Sequence, residues 1–250
     1  MEKLNLRKPK PYGVTTQQDL KFKRNYFLVS EGATEETYFH GVNSYKRELN
    51  IDNYIHIEVI AKEDGESGKS HPLQLLNAAL YNLGRIDDKG NEIDEKYWKT
   101  NCKWDFDSEE DQLWLIFDKD YRNLEMVSDE IYKTCERHGI HIGMSNPNFE
   151  LWLLFHFENI QQYDKELLFK NPKNLRKELF PEASINKKYL EILLSKISGG
   201  YKKGDCLKFE RFLSGVNLAI QQEKLFCEDE RQLFWKLGSN IGLLIEEMKR

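Results

Sequence analysis

Apolar runs of strand length alternate with amphipathic stretches over the first 160 residues of the chain. The runs NYFLVS, YIHIEVIA, DQLWLIFD and IHIGMS are rich in β-branched, aromatic and aliphatic residues, which predicts four β-strands. The stretches ETYFHGVNSYKREL, LQLLNAALYNL and NLEMVSDEIYKTCERHG have helical spacing; Ser70 or His71 caps the second, and Gly139 ends the third. Strands that alternate with helices form parallel sheets through right-handed crossovers. The pattern therefore predicts an α/β fold with a four-stranded, mainly parallel sheet flanked by helices.

The rest of the pattern predicts how the chain is divided. Residues from about 85 to 110 are polar and acidic, so we expect an insertion or long loop there, which is a poor candidate for the core. NPNFELWLLFHFENI starts with a turn signal and continues as an apolar helix, and beyond Gln161 the spacing is helical with no further clear strand. The predicted parts are a basic N-terminal segment (1–24), an α/β domain (25–160) and a helical region packed on it (161–250).

Composition and cysteine usage bound the class of protein. A chain of 250 residues with 40% hydrophobic residues can bury a sizeable core without disulfides. Its four cysteines form no CxxC pair and no spacing with histidine that indicates a zinc site. The N-terminus lacks the apolar centre of a signal peptide, and no apolar run is long enough to cross a bilayer. We therefore expect a soluble, cytoplasmic protein that does not contact membranes.

The charge is acidic overall but locally basic. The net charge of −5 argues against a globally basic coat for nucleic acid, although it leaves room for a local basic surface. The first 24 residues carry such a cluster, and both a solvated tail and a phosphate-binding surface are compatible with it. Its members are Lys3, Arg7, Lys8, Lys10, Lys21, Lys23 and Arg24.

Acidic residues follow three of the predicted strands. Glu31 comes directly after the first strand, Glu35 lies in the first turn of the next helix, Asp118 and Asp120 end the third strand, and Glu150 follows the fourth. In an open parallel sheet, these positions meet in the crevice outside the carboxyl ends of the strands. Carboxylates that converge repel one another unless a cation compensates, and ligands that are all oxygen favour Mg²⁺ or Mn²⁺ over zinc.

The sequence FDKD places two carboxylates on one side of a strand end. Because side chains alternate along a strand, Asp118 and Asp120 point the same way and Lys119 points the opposite way. An isolated Asp-x-Asp after a strand is more often a turn or a helix cap. The acidic loop after the first strand favours the alternative, in which the pair binds a metal ion.

Two groups of motifs resemble known families. SEGATEE after the first strand and FDKD after the third resemble the Toprim domain, the metal-binding, Rossmann-like catalytic fold of topoisomerases, primases and OLD-type nucleases. SNPNFELWLLFHFE, residues 145–158, resembles the signature of the RloB family, Toprim-like proteins associated with phage defence. The resemblance implies that Glu31 acts as a general acid or base or helps to hold a metal ion, and that Glu35, Asp118 and Asp120 are metal ligands.

The resemblance also implies additional site residues. Glu150 and His156 match the FELW and HF positions of the RloB signature, and YKKG places Lys203 where it would meet a phosphate. A lone histidine among apolar residues is more often a core residue than a ligand, so both interpretations of His156 stay open. GESGKS suggests a nucleotide-binding loop, but a Walker A motif needs glycine where this chain has Glu63, and we do not predict an ATP site.

Two functions from different classes follow from these observations. The first is a metal-dependent nuclease that cleaves DNA or RNA in antiviral defence, because carboxylate-held Mg²⁺ both activates the nucleophile and stabilises the leaving oxygen. The second is a non-catalytic, Toprim-like adaptor or regulatory subunit of an ATPase-containing defence complex. For both, the resemblance implies a separately encoded ATPase as a partner, and nucleic acid is the expected ligand of the nuclease.

Overall fold

The computed structural model describes residues 4–7, 24–60, 71–119, 124–157, 160–173 and 187–250. Within these residues the chain forms one five-stranded sheet, whose strands are β1 (Arg24–Ser30), β2 (Ile55–Ile60), β3 (Gln112–Asp118), β4 (Ile140–Asn146) and β5 (Gly238–Ser239). The strand order is β2-β1-β3-β4-β5, in which the first four strands are parallel and β5 runs antiparallel to β4. The predicted α/β class with a mainly parallel sheet is confirmed.

Helices cover both faces of the sheet. The ten α-helices of the described residues are α1 (Ala33–Ser44), α2 (Pro72–Asn82), α3 (Trp98–Asn101), α4 (Leu124–His138), α5 (Phe149–Leu154), α6 (Lys165–Lys170), α7 (Tyr189–Ile197), α8 (Glu210–Leu213), α9 (Val216–Glu223) and α10 (Ile241–Met248). Short 3-10 helices span Glu95–Tyr97, Ile160–Gln162 and Gly204–Cys206. None of the described helices combines the length and the apolar character that a membrane span requires.

Alternating side chains of β1 divide the core into two layers. Tyr26 and Leu28 pack with α1, α5, α7, α9 and α10, whereas Phe27 and Val29 pack with α2 and α4 on the other face. A strand that is buried on both faces reads as a continuous apolar run, which is why NYFLVS shows no polar alternation. The helices that follow residue 160 therefore share a hydrophobic core with the sheet and with α1.

The predicted count of four strands is wrong, because the C-terminal region adds β5 to the sheet. This strand has only two residues, so it leaves no apolar run in the sequence. The side chain of Asn240 extends the pairing beyond it: its Oδ1 accepts the N–H of Met144 at 2.7 Å, and its Nδ2 donates to the carbonyl of Ile142 at 2.7 Å. The amide thus satisfies backbone groups that the edge of β4 would otherwise leave unpaired.

Two segments of the C-terminal region, where the spacing predicts helices, form shorter helices than that spacing indicates. The segment from 206 to 224 divides into α8 and α9 at Gly215, where an added Cβ would lie 2.2 Å from the carbonyl oxygen of His156. The segment from 232 to 249 is helical only from Ile241 onwards, because the preceding residues form turns and β5. In both segments, packing against another element interrupts a regular apolar spacing.

The acidic region 85–110 is more ordered than the predicted long loop, and part of it does enter the core. Arg85 lies over the ring of Trp98, with its guanidinium carbon 3.9 Å from the ring centroid, and a β-bridge joins Ile86 to Glu92. Trp104 is buried and stacks on Phe27 with 6.0 Å between the ring centroids. The region was expected to be a poor candidate for the core, but Trp104 belongs to the core, since one tryptophan among polar neighbours produces no periodic signal.

The basic N-terminal segment is described only in part. Leu4 and Leu6 are buried in the same core layer as α2 and α4. Arg24 begins β1 and its Nη1 lies 3.2 Å from Oε1 of Glu247 in α10. The other basic residues predicted as a cluster, apart from Arg7, lie outside the described residues.

Candidate functional site

Glu31 and Asp118 meet at the carboxyl edge of the parallel sheet. Ser30, the last residue of β1, is aligned with Ile116, and Asp118 ends β3 two residues further on. The backbone N–H of Glu31 continues the ladder to the carbonyl of Ile116 at 2.9 Å, while its Oε2 accepts the N–H of Asp118 at 3.0 Å. The carboxylate of Glu31 therefore bridges the two central strands, as the strand-end argument predicts.

Glu35 brings a buried carboxyl group to the same edge from the first turn of α1. The extended Gly32 precedes the helix, and a Cβ on that residue would lie 2.9 Å from Oε2 of Glu35, so glycine gives this carboxyl group its space. Burial raises the pKa of Glu35 from 4.5 to about 8, and the carboxylates of Glu150 and Glu31 add to the shift. The backbone N–H of Glu35 and the ammonium group of Lys203 oppose it.

Glu150 is held by the segment 201–206, which we call the covering segment. The Oε1 of Glu150 accepts a hydrogen bond from the hydroxyl of Tyr201 at 2.9 Å and lies 2.7 Å from Nζ of Lys203. The same Nζ lies 2.9 Å from Oε1 of Glu191 in α7. Burial alone would lower the pKa of Lys203, but the Glu150 and Glu191 carboxylates reverse the effect and raise it. Lys203 is thus an internal counter-ion of the acidic edge.

The covering segment is also attached to the start of α1. The N–H of Gly204 donates to Oγ1 of Thr34 at 2.9 Å, and a Cβ on Gly204 would lie 3.7 Å from the Cβ of Ala33. Because Thr34 immediately precedes Glu35, this contact fixes the segment beside the buried carboxyl group. The C-terminal region therefore helps to build the edge that the strand ends define.

Two polar side chains at this edge were not predicted from the sequence. Ser30 and Asn148 are almost completely buried, and within the described residues no hydrogen-bond partner reaches Oγ of Ser30 or either amide atom of Asn148. Ser30 ends β1, and Asn148 precedes α5 directly after β4. Buried polar atoms without partners are uncommon and frequently belong to functional sites. The sequence signal that could identify them is their position inside SEGATEE and SNPNFELW, the motifs that also carry Glu31, Glu35 and Glu150.

His156 lies inside the protein, near the end of α5. Its Nε2 is 2.9 Å from the hydroxyl of Tyr38 and its Nδ1 is 3.0 Å from the carbonyl oxygen of Trp152. Because a carbonyl oxygen only accepts, Nδ1 carries the proton and Nε2 accepts from Tyr38. Burial lowers the pKa of His156 to about 3, so the ring is neutral. These contacts give His156 a structural role among aromatic side chains.

The described part of the chain contains only some of the predicted metal ligands. Asp120 lies outside the described residues, and so does Lys69 of GESGKS. Among the residues that are described, no group of three or more Asp, Glu, His or Cys side chains is arranged to hold a metal ion. The donors that do lie at the edge, from Glu31, Glu35, Asp118 and Glu150, are all oxygen atoms, which is the ligand chemistry of Mg²⁺ and Mn²⁺.

Fold and site together define a class: an α/β protein whose mostly parallel sheet gathers acidic side chains at its carboxyl edge. The chain matches the model of the RloB-like protein family over residues 26–248, and it belongs to that family. The family membership predicted from SNPNFELWLLFHFE is therefore confirmed. No curated protein and no solved structure gives a significant match to the chain.

Proposed function

We propose that the protein is a metal-dependent nuclease with a Toprim-like arrangement of acidic residues, and that it cleaves DNA or RNA in antiviral defence. The observation that supports this proposal most directly is the acidic edge itself, where Glu31 bridges to Asp118 and where Glu35 is buried beside Glu150 and Glu31. Acidic groups in such surroundings repel each other and lose their hydration, so the arrangement favours a bound cation.

The proposed metal ligands are Glu31, Glu35, Asp118 and Asp120, with Mg²⁺ or Mn²⁺ as the cation. When bound, the metal ion would lower the pKa of a water nucleophile and stabilise the leaving oxygen of the phosphodiester. The protein's own contribution is position: the N–H of Asp118 orients the Glu31 carboxylate, and Gly32 leaves room for Glu35. Burial keeps Glu35 protonated at neutral pH in the structure described, so metal binding there would release a proton.

Glu150 and Lys203 are proposed to support the site and not to hold the metal. Lys203 compensates the charges of Glu150 and Glu191, and Tyr201 fixes the orientation of Glu150. Contacts that orient the residues around a metal ion, without touching the metal themselves, commonly lower metal affinity or activity by about 10–100-fold when they are removed. We therefore expect Lys203→Met to reduce cleavage because Glu150 and Glu191 lose their counter-ion, and not because a substrate phosphate loses a contact.

A cleavage assay tests the proposed function. Purified protein is incubated with plasmid DNA, single-stranded DNA or tRNA in the presence of Mg²⁺ or Mn²⁺. Where a neighbouring gene encodes an ATPase, each reaction is repeated with that ATPase. The variants Glu31→Gln and Asp118→Asn remove charge but retain shape, and in the first of them the glutamine amide oxygen still accepts the N–H of Asp118. We expect each to reduce cleavage by about 100-fold or more.

The matched control is Glu130→Gln, which removes an exposed carboxylate from α4 and should cut like the wild type. If the wild-type protein cleaves none of the substrates even with its ATPase, or if Glu31→Gln and Asp118→Asn cleave normally, the nuclease proposal is wrong.

A specific observation favours the second function, the non-catalytic adaptor. In the described residues, Glu150 is neutralised by Lys203, and no three acidic side chains are arranged around a metal position. A protein of this kind would bind its ATPase partner without turnover. The adaptor would be supported over the nuclease by two results together: the wild type cleaves no substrate, and Asp118→Asn binds the ATPase partner as tightly as the wild type does.

A further inference from the structure

A basic pocket is lined in part by the covering segment, through Tyr201, Lys202, Asp205 and Cys206. It is a cavity of about 380 Å³, within the range of roughly 300–1,000 Å³ that ligand pockets have. Its lining includes the buried aromatic residues Tyr201 and Phe212, and its charged lining residues are Lys202, Lys208, Arg211 and Asp205. Three cations against one carboxylate make this pocket locally positive in a protein whose net charge is −5.

The cations of the pocket are not used for ion pairs within the described part of the chain. The salt bridges there include Lys203 with Glu150 and Glu191, but none that involves Lys202, Lys208 or Arg211. Lys202 and Lys203 are adjacent in the chain but have different surroundings. Lys203 pairs with Glu150 at the acidic edge, whereas Lys202 lines the pocket. The positive charge of Lys202 therefore remains available for an external anion.

The wall of the pocket is fixed by the backbone. Arg211 donates to the carbonyl oxygens of Ser198, at 3.4 Å, and Gly200, at 2.5 Å. Gly199 and Gly200 have φ values of +68° and +111°, a conformation that other residues rarely adopt. Both contacts use Nη1 of Arg211, so this one nitrogen holds the turn that precedes the covering segment in the chain.

The pocket and the acidic edge are connected through Tyr201. Tyr201 is one of the lining residues of the pocket, and its hydroxyl donates to Glu150 at 2.9 Å. A nucleic acid strand carries a phosphate at every nucleotide. Because Tyr201 belongs both to the pocket and to the acidic edge, such a strand bound at the pocket would continue directly to the acidic edge. Exposed lysines are suited to bind such a polyanion. Contacts to backbone phosphates are electrostatic, form at the solvent-exposed surface and do not depend on the base sequence.

We propose that Lys202, Lys208 and Arg211 bind phosphates of the nucleic acid strand next to the site of cleavage. This inference rests on the proposed nuclease function and assigns the place where its substrate is held. It also moves the phosphate contact expected of Lys203 to its neighbour Lys202. The described salt bridges explain the difference, because Lys203 already neutralises two carboxylates.

The test measures binding without cleavage. Fluorescence anisotropy of short, labelled single-stranded DNA and RNA is recorded in EDTA over a series of salt concentrations, with wild type and Lys202→Gln/Lys208→Gln. Each phosphate contact on a single strand contributes about 0.7 to the slope of log K against log salt, so the double variant should lower the magnitude of the slope by about 1.4. Relative to 1 M salt, this corresponds at about 0.1 M salt to roughly 25-fold weaker binding.

The matched control is Lys133→Gln/Arg137→Gln, which removes two exposed positive charges from α4, on the opposite face of the sheet. We expect it to keep the wild-type slope and to bind nearly as tightly. If the control loses as much affinity as Lys202→Gln/Lys208→Gln, or if the latter binds like the wild type, the assignment of this pocket is wrong. If the wild type binds neither nucleic acid, the proposed nuclease function fails as well, so the two failures are distinguishable.

Discussion

Replacing Glu223 with glutamine tests whether a buried carboxyl group makes the protein less stable as the pH rises. Glu223 ends α9 with none of its surface exposed, and its Oε1 accepts the N–H of Gly242 at 3.1 Å in the first turn of α10. Burial raises the pKa of Glu223 from 4.5 to about 8, although the Gly242 N–H opposes part of the shift. Glutamine has nearly the same shape and accepts the same hydrogen bond, but it carries no charge.

The sign and size of the effect follow from the two pKa values. The folded protein holds the Glu223 proton up to about pH 8, whereas the unfolded chain releases it near pH 4.5, so stability is lost as the pH rises between these values. One pKa unit corresponds to about 1.4 kcal/mol, so the whole shift amounts to roughly 5 kcal/mol, of which about 3 kcal/mol falls between about pH 5.5 and about pH 8.5. Glu35 adds a loss of the same sign to both proteins, and it cancels in their difference.

Urea denaturation, followed by tryptophan fluorescence at about pH 5.5 and about pH 8.5, gives the free energy of unfolding of each protein. Relative to the wild type, Glu223→Gln should gain about 3 kcal/mol between the two pH values. The exposed Glu130→Gln on α4 is the control and should follow the wild type. If the stabilities of the wild type and Glu223→Gln change in parallel with pH, Glu223 is not protonated in the fold and the reasoning is refuted.

Three further substitutions test the fold and the site. Asn240→Ala removes both bonds to the β4 backbone and should destabilise the protein by about 3 kcal/mol in urea; a loss below about 1 kcal/mol would contradict this pairing. Gly41→Ala places a Cβ 2.1 Å from the Phe209 ring and should lower the free energy of unfolding by about 1–3 kcal/mol, with an unchanged melting temperature as the contrary result. Gly32→Ala displaces the Glu35 carboxyl group, so we expect roughly tenfold slower cleavage; wild-type cleavage rates would show that its position is unimportant.

The sequence predicts the parallel sheet well because β1, β3 and β4 are mostly buried on both faces and so are rich in apolar residues, while β2 alternates apolar and polar residues. The predicted cap His71 accepts the N–H of Leu73 at 3.2 Å, and Gly139 ends α4 with φ of +64°, since both are local features of the chain. The strand β5 could not be predicted, because two residues without apolar character carry no periodic signal. Its position depends on β4, almost one hundred residues earlier in the chain.

The acidic residues of the candidate site could be proposed from the sequence, but Ser30, Asn148 and the contacts between the elements could not. The convergence of Glu31 with Asp118 follows from the parallel register of adjacent strands. The ion pairs of Lys203 do not, because they join the covering segment to α5 and α7 through contacts that no spacing along the chain encodes. For the same reason, the sequence could not show that Lys202 faces a pocket while Lys203 faces the acidic edge.

The two buried glutamates with raised pKa values have different explanations. Glu223 accepts a hydrogen bond from the first turn of α10, so its burial joins two helices. Within the described residues, Glu35 accepts no such bond from another element; its neighbours include the carboxylates of Glu150 and Glu31. A buried group that is destabilised by like charges, and that joins no elements in return, indicates a ligand site more than a structural one. This difference supports the proposed cation at the acidic edge, where Lys203 supplies compensating positive charge in the structure described.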